Sequence, residues 1–277
     1  MVKKNSFRDK KREIFDKGFG LTYWKIFDIS LFGRGMNEVL KIVEDWIKTK
    51  AKGKWIATVN PEFVMKALKD DEFREILRET DLNVVDGVGL LWAKNIRGKS
   101  FFERVWSGTK VGGEILLGKN REGLVSGADL MPELCKLASK KGYKVFFLGG
   151  FEDRAERTAR NLRSQMSELR CQTSSGEPKF SNEEVLEQIN KFKPDILFVA
   201  YGMKKQEEWI RDNRNKADFG VAIGVGRSFD YYSGDLKRAP KIIRKIGMEW
   251  LYSLIKEPKR LKRQLVLPKF VWKVLTR

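Results

Sequence analysis

The sequence predicts an α/β protein with a doubly wound, mostly parallel sheet of the Rossmann-like type and a basic helical appendage at its C-terminus. Short apolar runs alternate with helical patterns along most of the chain, as expected for a sheet built from βα units. The run at 195–200 is almost continuously apolar, which is typical of a strand buried on both faces of a parallel sheet. Beyond residue 236 the composition changes, because residues 237–277 contain thirteen Lys and Arg but only two acids.

Hydrophobic periodicity places the individual elements. Apolar runs predict strands at 55–59, 82–85, 144–148, 169–173, 195–200 and 219–223. Helical spacing predicts helices at 36–49, 62–69, 72–79, 88–96, 129–141, 153–166, 182–191 and 203–215. Residues 23–31 are expected to pair as strands. Residues 97–127 are expected to form a long, partly helical loop of the kind that is usually functional or mobile.

Composition bounds the function. The net charge of +19 predicts an anionic partner, which could be nucleic acid, an acidic membrane surface or a phosphorylated substrate. Histidine is absent, which excludes Ser-His and Cys-His catalysis and histidine-based metal sites. Cys135 and Cys171 are far apart and form no metal or redox motif, so a reduced, cytosolic chain is expected.

Three segments are predicted: a charged N-terminal arm at 1–20, an α/β domain at 21–235 and a basic amphipathic appendage at 236–277. The basic N-terminus lacks the apolar core of a signal peptide, and no apolar run is long enough to span a bilayer, so any membrane contact is expected to be peripheral.

Two interpretations of the appendage stay open. One helical face carries Leu261, Leu265, Trp272 and Leu275, with lysines beside it. Pro258 and Pro268 are expected to divide the segment into two short helices. Such a segment suits a membrane surface. It equally suits a terminal helix that packs its apolar stripe on the domain.

Asp86 is the leading candidate for chemistry. It lies in VVDGVG, at the carboxyl end of a predicted strand, where open α/β sheets bind their ligands. The alternative is a helix N-cap, a position that favours aspartate. Asn60 followed by Pro61 predicts another helix start, which would also expose backbone donors to an anion.

Glycines follow three predicted strands and favour a phosphate-lined crevice. They are Gly149 with Gly150, Gly202, and Gly224 with Gly226. None belongs to a dinucleotide-binding or P-loop motif. The chain also lacks the Asp-x-Asp pair with which metal-dependent sugar-nucleotide transferases commonly hold their ion. A bound diphosphate would therefore be neutralised by arginines or helix N-termini, and no metal or cofactor is expected.

A series of motifs, in this order along the chain, resembles the WecG/TagA/CpsF family of bacterial glycosyltransferases. The motifs are TVN (58–60), VVDGVG (84–89), ERV (103–105), FFLGG (146–150), YGMKKQEEW (201–209), GVGRSFDYYSG (224–234), RAP (238–240) and EWLYSLIKEPKRLKRQ (249–264). The resemblance runs from about residue 20 to the C-terminus. It implies transfer of an N-acetylmannosamine-type sugar from a UDP donor to a polyprenyl-diphosphate-linked sugar at the inner face of the membrane. TagA-like members make the linkage disaccharide of wall teichoic acid.

The resemblance also implies roles for individual residues. Asp86 matches the proposed general base, which takes the proton of the acceptor hydroxyl in an inverting attack on the anomeric carbon. The substrate-binding positions implied are Thr58 and Asn60 beside that base, Gln206 and Asp230 on the donor, Arg104, Arg260 and Arg263 on the leaving diphosphate, and Gly149, Gly150, Tyr201, Gly202, Glu207 and Arg238 in the remaining motifs.

Four features depart from the family pattern. Ser253 stands at a usual arginine, Lys204 at a proline and Arg227 at a glycine, and the stretch 106–127 looks like an insertion. Ser253 keeps open a catalytically degraded scaffold, and the charge keeps open a basic nucleic-acid-binding protein, although the aromatics do not interleave with the basic residues as such proteins require. The identities of donor sugar and acceptor, and whether the chain forms a homo-oligomer, also stay open.

Overall fold

The computed structural model describes residues 23–175 and 182–277, so the predicted arm at 1–20 lies outside the described residues. The strands are β1 Tyr23–Ile26, β2 Ile29–Phe32, β3 Lys54–Val59, β4 Leu82–Val85, β5 Lys144–Gly149, β6 Arg170–Ser174, β7 Ile196–Ala200 and β8 Val221–Gly224. β1 and β2 form an antiparallel hairpin. The other six strands form one parallel sheet in the order β4-β3-β8-β7-β5-β6, so the carboxyl ends of β4, β3 and β8 lie side by side.

Helices cover both faces of this sheet. They are α1 Met36–Lys48, α2 Pro61–Ala67, α3 Asp71–Glu79, α4 Val88–Ile96, α5 Phe101–Leu116, α6 Gly127–Lys141, α7 Arg154–Gln165, α8 Asn182–Phe192, α9 Lys205–Asn213, α10 Ser228–Tyr232, α11 Lys241–Lys245, α12 Glu249–Lys256, α13 Leu261–Gln264 and α14 Val266–Thr276, with a 3₁₀ turn at Pro258–Arg260. Alternate strand residues belong to opposite cores: Phe146 packs on one face and Phe147 on the other. The doubly wound α/β prediction is therefore confirmed.

Helix α5 differs from the predicted long loop. Within the stretch that was expected to be a loop, residues Phe101–Leu116 form one continuous helix of sixteen residues. At its start, the Ser100 backbone N–H and hydroxyl both donate to Glu103, at 2.8 and 2.7 Å. Gly108 lets α4 approach closely, because a Cβ there would lie 3.0 Å from the ring of Trp92. The glycines that made the segment resemble a loop thus include one that the helix packing requires.

The C-terminal appendage packs on the α/β domain. Phe270 and Val274 of α14 are buried in the same core as the sheet. The residues that pack are not those of the predicted apolar face, since Leu261, Leu265 and Trp272 of that face are exposed. The segment is divided into short helices, as expected, but the break falls at Leu265 and not at Pro268. Helix α14 runs through Pro268, because a proline in the first turn of a helix removes no intrahelical hydrogen bond. In the two described ranges, every helix is too short or too polar to cross a bilayer.

Candidate active site

Asp86 follows β4 directly and is not the N-cap of α4, the helix that follows it. Its backbone N–H donates to the carbonyl of Val59 at 2.7 Å, which continues the pairing of β4 with β3. Its Oδ2 accepts a hydrogen bond from the N–H of Gly127, at 3.3 Å, where α6 begins. The N-cap of α4 is Gly87, without a side-chain hydrogen bond, so the N-cap interpretation of Asp86 is wrong. The carboxylate instead lies between two helix starts.

The environment of Asp86 favours proton transfer near neutral pH. The residue is partly buried. Loss of solvent raises the pKa of its carboxyl to about 7; the hydrogen bond from Gly127 opposes that rise and the charge of Glu249 adds to it. A general base is most effective when its pKa lies near the working pH. Asp86 is therefore suited to accept a proton.

Thr58 and Asn60 lie beside Asp86, at the end of β3. Thr58 pairs in register with Val84 and donates its hydroxyl hydrogen to the carbonyl of Gly224, at 2.9 Å. Asn60 Oδ1 accepts the N–H of Phe63 at 3.1 Å, which confirms the predicted helix start. A Cβ on Gly127 would lie 3.4 Å from the Thr58 hydroxyl oxygen. The ends of three adjacent strands and the start of α6 thus converge at Asp86.

Gln206 and Glu207 reach the same edge of the sheet, and both side chains are buried. The Gln206 amide donates to Glu207 Oε1 at 2.7 Å, and its own oxygen accepts the N–H of Gly226 at 3.0 Å. Glu207 Oε2 accepts the N–H of Lys204 at 2.8 Å. Burial raises the pKa of Glu207 to about 7. The pair therefore fastens the start of α9 to the turn after β8.

The glycine turns after β5 and β7 pack on each other. Gly149 has φ 90°, and a Cβ there would lie 2.7 Å from the ring of Tyr201. The N–H of Gly150 donates to the carbonyl of Ala200 at 3.1 Å. The carbonyl of Gly202 accepts the N–H of Gln206 at 3.1 Å. These contacts link the four predicted positions to one another and to the start of α9.

Asp230, in α10, is held between two arginines. It accepts from Arg154 at 2.6 Å and from Arg227 at 3.1 Å. Arg227 also binds Glu257, at 2.9 Å, whereas Arg260 lies 3.9 Å from that carboxylate. Burial, followed by the positive charges of Arg227 and Arg263, lowers the pKa of Arg260. Arg227, which the sequence marked only as a departure, thus belongs to a cluster of guanidinium groups.

Arg238 forms the other charged network next to Asp86. Its guanidinium donates to both oxygens of Asp129, at 2.6 and 2.8 Å, and to Glu249 at 3.0 Å. Both carboxylates help to raise the pKa of Asp86. Sequence reasoning missed Asp129 and Glu249, because their proximity to Asp86 arises only from the folded packing of α6 and α12.

Arg104 and Arg263 have partners other than Asp86. Arg104 donates to the carbonyls of Val274 and Leu275, at 3.4 and 3.2 Å, at the end of α14. Arg263 pairs with Glu62 in the first turn of α2. That pair lines a cavity of about 820 Å³ along α2 and α13–α14, whose lining does not include Asp86.

The cavity has a mixed lining. Lysines 66, 69, 262 and 269 surround the side chains of methionines 65 and 203 and of Leu265. Among the residues described, no group of three or more acids or cysteines is arranged to hold a metal ion.

The comparisons agree with the motifs. A sequence profile of the Glycosyl transferase WecG/TagA/CpsF family matches residues 24–115 and 107–277. The two matched segments overlap at residues 107–115, which lie within the stretch 106–127 that looked like an insertion. N-acetylglucosaminyldiphosphoundecaprenol N-acetyl-beta-D-mannosaminyltransferase of Bacillus subtilis (strain 168) is 30% identical over 223 residues, which cover 80% of this chain and 79% of the relative. The protein of the same name from Staphylococcus aureus (strain MW2) is 30% identical over 79% of each chain. The chain therefore belongs to the WecG/TagA/CpsF family of glycosyltransferases.

Proposed function

We propose that the chain is a metal-independent, inverting glycosyltransferase that moves N-acetylmannosamine from a UDP donor to a polyprenyl-diphosphate-linked N-acetylglucosamine, as in wall teichoic acid synthesis. The names of the relatives support this acceptor and this sugar. The observation that carries the proposal is Asp86, a partly buried carboxylate with a pKa raised to about 7 at the carboxyl edge of the sheet.

Asp86 acts as the general base. Its carboxylate takes the proton from the acceptor hydroxyl while that oxygen forms a bond to the anomeric carbon. The bond from that carbon to the UDP oxygen breaks on the opposite face, and UDP leaves with the electron pair, which inverts the configuration. Thr58 and Asn60, which lie beside Asp86, bind the reacting sugars. The proton on Asp86 then returns to water.

Guanidinium groups take the place of a metal ion on the leaving diphosphate. Arg260 is the best candidate, because the nearest carboxylate among the described residues, on Glu257, is 3.9 Å from its guanidinium. Crowding by Arg227 and Arg263 destabilises its positive charge. A bound diphosphate would relieve that repulsion and form charge-assisted hydrogen bonds. The bond-breaking step would thereby gain electrostatic stabilisation where negative charge develops.

The appendage brings the enzyme to its lipid-linked substrate. Its exposed side carries Trp272 together with Lys269 and Lys273, while Phe270 and Val274 hold the helix on the domain. Tryptophan and lysine on one exposed face favour the surface of an anionic membrane. In this proposal one side of α14 packs on the domain and the opposite side binds the membrane. The enzyme then acts as a peripheral protein at the inner membrane face.

The test is sugar transfer from UDP-N-acetylmannosamine to a short-chain lipid-diphosphate N-acetylglucosamine. Asp86→Asn is expected to lower kcat by about 10²- to 10⁴-fold, the usual contribution of a general base, while UDP still binds in calorimetry. Asp212→Asn is the matched control, since that carboxylate is 57% exposed and pairs with its neighbour Arg211 on the surface. EDTA is expected to leave turnover unchanged. Wild-type turnover by Asp86→Asn would refute the base, and loss of activity in EDTA would refute metal independence.

A further inference from the structure

Helix α5 exposes an apolar face to solvent. Its inner side packs on the domain through Gly108, Val111 and Ile115. On its outer side, Phe102 is 82% exposed and Trp106 is 78% exposed, and Leu117, directly after the helix, is 76% exposed. Single exposed apolar residues are ordinary, but a contiguous set marks a surface that binds something.

Most positions on this outer face are apolar. At helical spacing, positions 102, 105, 106, 109, 113 and 116 point away from the buried stripe, and they hold Phe, Val, Trp, Thr, Gly and Leu. The charged residues of the helix that are not on the inner side, Glu103, Lys110 and Glu114, fall together on one flank. An apolar strip thus runs along the whole helix, and the exposed Glu103 and Lys110 border it on one flank.

The appendage contacts α5 at both ends. At the N-terminal end, Arg104 holds the last carbonyls of α14, the helix that exposes 66% of Trp272. At the C-terminal end, a Cβ on Gly247 would lie 3.3 Å from Ile115, and Arg121 donates to the carbonyl of Arg244 at 2.7 Å. That second contact anchors α11.

We propose that α5 is a second membrane-inserting element, which lies in the surface of an anionic bilayer with Phe102, Trp106 and Leu117 at the acyl boundary. The three exposed lysines that border it, Lys99, Lys110 and Lys119, outnumber the two acids of its flank, Glu103 and Glu114, and match anionic headgroups. A second copy of the chain is disfavoured as the occupant, because each copy would bring a net charge of +19 to the contact. The proposal rests on the proposed function in that the acceptor is a membrane lipid.

The geometry gives this helix a role in catalysis at the membrane. α5 packs on α4, the helix that begins beside Asp86, through the hydrogen bond from Trp92 Nε1 to the carbonyl of Gly108, at 2.9 Å. A bilayer that holds α5 and the appendage together therefore fixes the site at a set distance from the headgroups, where the diphosphate of a lipid-linked acceptor lies.

The experiment measures co-sedimentation of the full chain with vesicles of phosphatidylcholine and phosphatidylglycerol. The double variant Phe102→Ser/Trp106→Ser is expected to bind about 100-fold more weakly, since each aromatic loses its burial in the acyl boundary. Phe151→Ser is the matched control: Phe151 is 70% exposed but lies after β5, outside this face, and its variant is expected to bind as the wild type does. Wild-type vesicle binding by the double variant would overturn the proposal.

A second measurement leaves the aromatics intact. The two native cysteines, Cys135 and Cys171, are buried, so a nitroxide on Leu117→Cys reports that position specifically. Its signal is expected to become accessible to oxygen and protected from a water-soluble nickel complex when vesicles are added. An unchanged signal, or a vesicle-free dimer that Phe102→Ser/Trp106→Ser converts to a monomer, would overturn the proposal. Turnover of a short-chain acceptor tests the proposed function separately, because it needs no vesicle.

Discussion

At the scale of single residues, the chemistry of Asp86 depends on neighbours from three separate parts of the chain. Gly127 provides a hydrogen bond, and Glu249 and Asp129 provide negative charge that Arg238 partly offsets. The strand-end position of Asp86 is visible in the sequence, because an apolar run ends there. Its raised pKa is not visible, since it follows from burial and from groups that lie 41 or more residues away along the chain.

The raised pKa of Asp86 predicts a pH profile. A carboxyl that must be ionised to act as a base should make kcat/KM rise with pH and level off above about 7. Transfer rates on the short-chain acceptor measure this, with Glu207→Gln as the control for the other carboxyl whose pKa is raised to about 7. That variant should keep the same profile. A flat profile from about pH 5 to about pH 9 would rule out an Asp86 of raised pKa as the base.

At the scale of elements, the strands were predictable and the helices near the C-terminus were less so. The parallel strands are apolar runs, and their predicted positions agree with the structure. α5 was missed because its glycines resemble a loop, whereas Gly108 is needed for the contact with Trp92. In the appendage, periodicity placed Leu261, Leu265, Trp272 and Leu275 on one helical face, but α13 ends at Gln264 and a separate helix, α14, begins at Val266, with Phe270 and Val274 as its buried residues.

The turn after β5 allows a test of how tightly these elements fit. Gly149→Ala should destabilise the fold by about 2 to 4 kcal/mol, because alanine is strained at positive φ and its Cβ would also overlap the ring of Tyr201. Gly142→Ala is matched, since Gly142 has φ 72° but no atom within 4 Å of the added Cβ, and it should cost about 1 to 2 kcal/mol. Urea unfolding measures both. Equal losses would mean that the two turns do not pack as described.

At the scale of the whole molecule, the chain is strongly basic, with a net charge of +19. The fold nevertheless buries two acidic side chains, and burial disfavours their negative charge. Asp86 and Glu207 both have pKa values raised to about 7. Asp70 shows the opposite behaviour, because its hydrogen bond with Lys204 lowers its pKa to about 2. This ion pair therefore stabilises the fold above pH 3.8, the ordinary pKa of the group, and the stabilisation is lost as the pH falls from 3.8 towards 2. The family and the parallel sheet were predictable from motifs and periodicity. The shifted pKa values of Asp70, Asp86 and Glu207 were not, because they depend on burial and on contacts in the folded chain.

These raised pKa values predict that the protein loses stability as the pH rises towards neutrality. Between pH 4.5 and about 7, the folded Glu207 holds a proton that the unfolded chain releases, so the free energy of unfolding falls with increasing pH. The loss from this residue is at most about 3 kcal/mol. Glu207→Gln removes the ionisation, so its free energy of unfolding, measured with urea at several pH values, should fall less steeply than that of the wild type. Asp212→Asn, an exposed site, should keep the wild-type slope. If Glu207→Gln keeps the full slope, Glu207 is already ionised in the folded protein, and Asp86 alone must account for the pH dependence.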